Sequence, residues 1–164
     1  MKRLILYYSL TGHTHAAAEQ LAAQTAATLC EIRTVKPMPT SRFSQIMYGG
    51  MLSSFGICPK LANEPPAAED FDEIILGLPV WAGKCAAPIR TLLQRKELCD
   101  KVTAVFTYSG SGDNSGCVRQ LRQWLPHLRE TVSLTDESNP LSAENDQKWS
   151  AFTEAVLAEK EVRS

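Results

Sequence analysis

The stretch that decides the fold is ILYYSLTGHTHAAAEQL, residues 5–21. Residues 4–8, which overlap the start of this stretch, form a short apolar run, which is typical of a strand buried on both faces. Residues 13–28 are rich in alanine, carry apolar residues at helical spacing and contain few β-branched residues, so they are predicted to form a helix. Between strand and helix lies the hydroxyl-rich turn SLTGHT, residues 9–14.

The rest of the chain continues this alternation of strands and helices. Residues 30–35 alternate polar and apolar side chains before two prolines, which indicates a strand near an edge. Phe43, Ile46, Met47 and Met51 indicate one short helix within a long excursion over residues 40–70. Further strands are predicted at 71–78, ended by Pro79, and at 101–108 and 130–134, and further helices at 86–95, 114–125 and 142–161, the last capped by Ser142.

Five strands that alternate with helices predict an α/β fold. Parallel neighbours need crossover helices, so we expect a doubly wound five-stranded parallel sheet with helices on both faces. In the strand order 2-1-3-4-5, a ligand lies where the order reverses, at the carboxyl ends of strands one and three. The length of 164 residues fits one domain, residues 1–164.

Composition narrows the classes of function. The 17 basic and 18 acidic residues nearly cancel, so neither nucleic acid nor an anionic membrane is indicated as the main partner. The five cysteines form no CxxC pair, and the first apolar run is too short for a signal peptide or a membrane span. We therefore expect a cytoplasmic protein with free thiols. A low-molecular-weight phosphatase loop is excluded, because four residues rather than five separate Cys85 from Arg90.

The turn SLTGHT has two readings when it is considered alone. At the start of a helix, its N–H groups and the helix dipole favour an anion, and Ser9, Thr11 and Thr14 add hydroxyl donors. Gly12 would let the backbone approach a phosphate closely. For an isolated turn of this kind, however, a simple helix cap formed by Ser9 or Thr11 is the commoner explanation. The turn also lacks the GK[ST] sequence of a nucleoside triphosphate loop.

Three segments together resemble the flavodoxin family. The pattern of residues 5–21 is two aliphatics, an aromatic, and then Ser9, Gly12, Thr14, Ala18 and Leu21 at the family's spacing. DFDEIILGLPVWAGKCAAPIRTLL, residues 70–93, is similar to the family's strand, Pro-x-Trp loop and helix. AVFTYSGSGDNSG, residues 104–116, resembles its Ser/Gly-rich flavin loop. The three segments occur in the family's order at the ends of strands one, three and four.

This resemblance implies FMN as the cofactor, held by three loops. The first loop encloses the phosphate in that family, and the other two surround the flavin ring. The implied FMN-binding residues are Ser9, Leu10, Thr11, Gly12, His13, Thr14, Pro79, Val80, Trp81, Ala82, Gly83, Lys84, Thr107, Tyr108, Ser109, Gly110, Ser111 and Gly112.

Within these loops, Trp81 is expected to offer an aromatic face to the flavin, and Tyr108 to cover the other face or the ribityl chain. Residues 109–112 would donate N–H groups to the pyrimidine edge and so tune the potential. Lys84 reads better as a solvated lysine. His13 replaces a residue that is commonly asparagine and would serve through its backbone. Cys85 has no neighbour that marks an activated thiol.

The near-neutral charge bears on the activity that the resemblance implies. Flavodoxins that act as electron shuttles are strongly acidic, so we expect instead an oxidoreductase that passes electrons from a reduced donor to a small acceptor such as a quinone. A one-electron carrier for protein redox partners and a flavin-free binding or regulatory module on the same fold stay open. A response-regulator receiver domain is excluded, because Tyr8-Ser9 and Leu78-Pro79 stand where it needs acidic residues. Segment 41–66 is expected to form a wall of the flavin site or an apolar subunit contact, which would make a homodimer.

Overall fold

The computed structural model describes residues 1–162, with side chains up to residue 158. The chain alternates between strands and helices, with short 3₁₀ turns at Ala68–Asp70 and Pro140–Glu144. In chain order the elements are β1 Arg3–Tyr7, α1 His13–Thr25, β2 Thr28–Glu31, α2 Arg42–Ser54, β3 Glu73–Trp81, β4 Lys84–Cys85, α3 Ala87–Leu92, α4 Lys96–Cys99, β5 Val102–Ser109, α5 Ser115–Trp124, β6 Glu130–Thr135 and α6 Asn145–Val162.

Five of the strands form one parallel sheet in the order β2-β1-β3-β5-β6. Counted without the two-residue β4, this is the predicted order 2-1-3-4-5, and the fold class is confirmed. The short β4 pairs antiparallel with the end of β3. Because all five strands run in the same direction, the loops that follow β1, β3, β5 and β6 emerge at one edge of the sheet.

Two apolar layers cover the two faces of the sheet. Alternate residues of β1 point to opposite sides, so Leu4 and Leu6 belong to one layer, and Ile5 and Tyr7 to the other. The first layer also contains side chains of α2, α3 and α5, and the second contains side chains of α1 and α6. Helices therefore cover both faces, as predicted.

The first helix ends earlier than predicted. It stops at Thr25, because Ala26 adopts a left-handed backbone conformation (φ 54°) that breaks the helix. Strand β2 then occupies Thr28–Glu31 instead of the predicted 30–35, so Thr28 is a strand residue and not part of the helix. The prediction of an edge strand is confirmed, since β2 pairs only with β1 among the described residues.

Strand β3 continues through Pro79, which was predicted to end it. The pairing of β1 with β3 stops at Tyr7 and Gly77, so the missing N–H of Pro79 interrupts no ladder on that side. On the other side, Pro79 is still in register with Tyr108 of β5. Because β3 runs to Trp81, the second loop begins after this residue, later than predicted.

Two helix boundaries also differ from the predictions. The predicted helix 86–95 is shorter, because α3 covers Ala87–Leu92 and a separate turn of helix, α4, follows it. Ser142 does not cap the last helix. The Asn139 side chain accepts a hydrogen bond from the Leu141 N–H and opens a 3₁₀ turn, and α6 begins at Asn145.

Two kinds of feature are absent from the described part of the chain. No three histidine, cysteine, aspartate or glutamate side chains are grouped where they would hold a metal ion. None of the helices joins the length to the apolar character that crossing a membrane requires.

Candidate functional site

The first loop joins β1 to α1 through a turn organised by Ser9. Its Oγ accepts hydrogen bonds from the N–H groups of Gly12 (3.1 Å) and His15 (3.3 Å). Gly12 stands at the N-cap position with φ 98°, a left-handed conformation that favours glycine. Of the two hydroxyls considered as caps, Ser9 thus contacts the first turn of the helix, and Thr11 stays exposed.

Beyond Ser9, the loop retains donors that are free for a ligand. Within the described residues, the N–H groups of His13 and Thr14 make no hydrogen bond. The first turn of α1 has no acidic residue, and the space over Gly12 is open to at least 4 Å. These free donors lie at the positive end of a 13-residue helix, an arrangement that favours an anion.

Residues 79–84 were predicted as a loop, but β3 extends to Trp81 and forms a hairpin with β4. Trp81 is the last residue of β3 and pairs with Lys84 of β4. Between them, Ala82 (φ 50°) and Gly83 (φ 72°) are both left-handed, as a two-residue type I′ turn requires. Helix α5 approaches this turn so closely that a Cβ on Gly116 would lie 2.6 Å from the Gly83 carbonyl oxygen.

Trp81 lies in the wall of the site, with most of its surface already covered. Only 9% of it is exposed. Its ring makes an edge contact with Tyr8, at 5.6 Å between centroids and an interplanar angle of 86°. Gly49 of α2 covers the indole, since a Cβ there would be 3.1 Å from Cδ2. The indole therefore offers a ligand a small part of its surface rather than an open face.

The third loop, after β5, is held in place by side chains from two directions. Ser109 Oγ accepts from the N–H of Gly112, which has φ 79°. The Asp136 N–H donates to the Ser109 carbonyl (3.0 Å), and Asn139 Nδ2 donates to the Gly110 carbonyl (3.0 Å). The segment after β6 therefore fixes the path of this loop. The N–H groups of Gly110 and Ser111 have no acceptor within the described residues.

His13 and Tyr108 bring the first and third loops into contact. Their rings are stacked, with centroids 5.8 Å apart and an interplanar angle of 24°. Burial, and after it the nearby carboxylates of Asp136, Glu137 and Asp146, raise the pKa of Tyr108. The phenol therefore stays neutral at physiological pH.

The three loops surround one cleft of about 180 Å³. Ten of the eighteen predicted site residues line it: Leu10, Thr11, His13, Thr14, Pro79, Val80, Trp81, Tyr108, Ser109 and Gly110. The other eight lie outside its lining: Ser9, Gly12, Ala82, Gly83, Lys84, Thr107, Ser111 and Gly112. Larger cavities exist elsewhere, including one of about 560 Å³ beside Arg90 and Trp124. None of the eighteen predicted site residues lines them. The loop chemistry, and not cavity size, therefore marks the site.

Several of the residues outside the lining stabilise the loops of the cleft without facing it. Thr107 is fully buried, and its Oγ1 donates to the Val132 carbonyl (3.2 Å) and accepts from Asn114 Nδ2 (2.8 Å). Ser9 and Gly12 shape the first turn, as described above. Lys84 is exposed at the hairpin, which agrees with its reading as a solvated lysine.

Four lining residues are not among the eighteen predicted individually: Arg42, Gln45, Ile46 and Asp136. Asp136 directly follows β6, so the rule that ligands lie at the carboxyl ends of parallel strands would have pointed to it. Arg42, Gln45 and Ile46 belong to α2 and form the wall that was expected from the excursion as one of its two roles. No local pattern distinguishes Arg42 or Gln45 from ordinary surface residues.

A family model described as Flavodoxin matches residues 2–149. The chain belongs to the flavodoxin family. The match includes all three loops of the cleft and every strand of the sheet. Two observations agree with membership of the flavodoxin family: the strand order of the sheet, and the position of the cleft at the ends of β1 and β3.

Solved structures share the fold along nearly the whole chain. A Lactobacillus acidophilus flavoprotein, solved in complex with FMN, is 27% identical with a TM-score of 0.69, over 90% of this chain and 97% of that one. Flavodoxin 2 from Bacillus cereus is 21% identical (TM-score 0.57; 98% and 99% covered). A WrbA-like flavodoxin from Agrobacterium tumefaciens is 18% identical (TM-score 0.56; 94% and 96% covered). The last two likenesses concern the fold alone.

The thiols of Cys85 and Cys117, which lie beside the hairpin of this chain, are buried. Cys85 and Cys117 are fully inaccessible, with their sulfurs 3.1 Å apart. The hydrogen bond with Cys117 and then burial raise the pKa of the Cys85 thiol. The thiol is therefore protonated and shielded, which is the opposite of what a nucleophilic cysteine needs.

Proposed function

We propose that the cleft binds FMN and that the protein is an FMN-dependent oxidoreductase. The family and the FMN complex of the 27% identical L. acidophilus flavoprotein support this cofactor. The observation that carries the proposal is that free N–H groups at the start of α1 lie in the same cleft as the ends of β3 and β5.

The first loop suits the phosphate of FMN. The free N–H groups of His13 and Thr14 are its donors, together with the hydroxyl of Thr11 and the positive end of α1. Gly12 leaves the space over the turn open, and no carboxylate in the first turn of the helix opposes the charge. His13 serves through its backbone, because its ring stacks on Tyr108.

The other two loops suit the flavin ring. Pro79, Val80 and Ile46 give the cleft apolar walls, and the free N–H groups of Gly110 and Ser111 are donors for the polar pyrimidine edge. When bound, FMN supplies reversible transfer of one or two electrons. Donors at the pyrimidine edge favour negative charge there and therefore raise the potential. Trp81 contributes the small exposed part of its indole.

The charges around the cleft favour a small acceptor over a basic protein partner. The chain as a whole carries 17 basic and 18 acidic residues, so it lacks the strong negative field that steers an electron shuttle. Residues 34–63, which include the α2 wall, contain three basic residues and no acidic one. A planar, mostly apolar acceptor such as a quinone fits beside Ile46 without charge complementarity.

The five free thiols are compatible with a reducing compartment, so we place this protein in the cytoplasm. We treat residues 1–164 as one domain, since the two apolar layers share a single sheet.

Reduction and reoxidation kinetics test this proposal. Purified protein is reconstituted with FMN, reduced with NADH and NADPH in separate stopped-flow experiments, and mixed with a panel of quinones. Multiple turnovers with a quinone, without any added protein, support the oxidoreductase. If turnover occurs only with a flavodoxin reductase and a protein acceptor, the chain is a carrier. A colourless preparation that ignores added FMN would leave only the flavin-free module.

A further inference from the structure

Helix α2 exposes an apolar surface that overlaps the proposed FMN cleft only at Ile46. Its members are Phe43, Ile46, Met47, Met51 and the C-cap residue Phe55, called here the α2 apolar face. Phe43 is 74% exposed and Phe55 78%, so these two rings alone offer on the order of 250 Å². With the other three side chains, the face is comparable to the largest apolar patch of a typical monomer, about 300–600 Å², which is often functional. It therefore marks an interaction surface.

The segment that carries this face has an unusual charge. Residues 34–63 contain Lys36, Arg42 and Lys60 and no acidic residue, although the whole chain has one more acidic residue than basic ones. Within the described residues, these three side chains form no ion pair. Arg42 also lines the proposed flavin cleft, so Lys36 and Lys60 are the two charges that this cleft leaves available to an anionic partner.

A second cavity opens beside the same helix. It has a volume of about 360 Å³ and shares no lining residue with the proposed flavin cleft. Lys36 and Lys60 belong to its lining, and its apolar walls include Met38, Tyr48, Leu52, Ile57 and Pro88. An apolar cavity with two lysines matches a molecule that joins a hydrocarbon chain to an anionic head.

We propose that the α2 apolar face docks this protein on an anionic phospholipid surface. Phe43 and Phe55, at opposite ends of α2, enter the acyl boundary, and Lys36 and Lys60 attract the headgroups. The cavity beside α2 accepts part of an acyl chain. A second copy of the chain is a poorer occupant, because a two-fold contact through this face would bring its basic residues together without acidic partners.

Vesicle sedimentation tests the proposal on the purified full-length chain. We expect it to sediment with vesicles that contain phosphatidylglycerol, to stay in solution with pure phosphatidylcholine vesicles, and to be released by salt. Replacing both exposed rings (Phe43→Ser with Phe55→Ser) should weaken binding by at least about tenfold. Each of Lys36→Gln and Lys60→Gln should weaken it by about fivefold.

Matched controls use exposed residues outside the face. Leu29→Ser on β2 removes a partly exposed apolar side chain, and Arg119→Gln on α5 removes an exposed charge, so both should bind as the wild type does. The proposal is overturned if the wild type ignores phosphatidylglycerol vesicles or if the variants of the face bind equally well. A stable solution dimer that dissociates when both rings are replaced also overturns it. None of the replaced residues lines the flavin cleft, so a failure of vesicle binding is distinguishable from a failure of FMN binding.

Discussion

The indole of Trp81 lies directly against the backbone of Gly49, where a Cβ would meet its Cδ2 at 3.1 Å. The neighbouring Gly50 is different, since a Cβ there would make an ordinary contact of 3.9 Å with Ala82. Gly49 thus lets α2 lie close to the indole, whereas Gly50 has room for a side chain. Through this contact α2 controls one wall of the cleft.

A pair of alanine substitutions separates the effect of this contact on stability from the effect of helix propensity. Gly50→Ala should raise the free energy of unfolding by about 0.5–1 kcal/mol, because alanine favours the helix and has room. Gly49→Ala gains the same propensity but crowds Trp81, so its free energy of unfolding should be about 1 kcal/mol or more below that of Gly50→Ala. It should also shift the visible spectrum of bound FMN. Urea unfolding of both variants measures the difference, and equal stabilities would show that the indole moves at no cost.

The phosphate site is tested by a charge at its edge. Thr11 is exposed and lines the cleft, so Thr11→Glu should place a carboxylate beside the phosphate and weaken FMN binding by about 100-fold. The apo-protein should stay folded, because a carboxylate near a helix N-terminus is favourable. Thr11→Gln is the control, with the same shape and no charge. Fluorescence titration gives both dissociation constants, and similar values would remove the phosphate from this loop.

A buried ion pair connects three elements of the fold. Arg3 Nε donates to Glu73 Oε1 at 3.1 Å, both side chains are only 2% exposed, and Arg3 Nη2 donates to the Val156 carbonyl at 3.0 Å. Glu73→Leu alone should lower the free energy of unfolding by about 3–5 kcal/mol, since it leaves a buried charge unpaired. The double variant with Arg3→Met should recover most of that loss. If the two losses simply add in denaturant unfolding, the pair is not coupled.

Alkaline pH should destabilise the fold partly through Tyr8. Burial, and then the charge of Glu31, raise the pKa of Tyr8 from 10.0 to about 12. Because the folded-state pKa is the higher one, this contribution to stability is complete below pH 10 and is lost as the pH rises towards 12. Tyr8→Phe keeps the packing and should show a shallower decline in the free energy of unfolding over that range. Other buried phenols and thiols titrate in both proteins, so parallel curves would mean that Tyr8 contributes nothing.

The features that the sequence predicts correctly are those that depend on residues close together along the chain. Ser9 and Gly12 lie within four residues of each other, so their turn could be predicted locally. Alternation predicted the parallel sheet, and the strand order 2-1-3-4-5 is the one that the flavodoxin resemblance implies. The left-handed conformation of Ala26 and of Ala82 could not be foreseen, because alanine rarely adopts it and tertiary contacts impose it. For the same reason the helix end at Thr25 and the hairpin after Trp81 were missed.

The walls of the cleft were predicted less completely than its loops. Arg42 and Gln45 lie about thirty residues from the first loop in the chain, and only packing of α2 against β3 brings them to the site. The expected open face of Trp81 is largely covered for a similar reason, since Gly49 packs on it. Long-range contacts of this kind leave no periodic signal in the sequence.

The central claim is that the free N–H groups at the start of α1 bind the phosphate of FMN. Titration of the apo-protein with FMN and with riboflavin, which has the same ring and no phosphate, tests it most directly. Two charge-assisted hydrogen bonds and the helix dipole predict that FMN binds at least about 100-fold more tightly than riboflavin. Equal affinities, or no binding of FMN, would contradict the account.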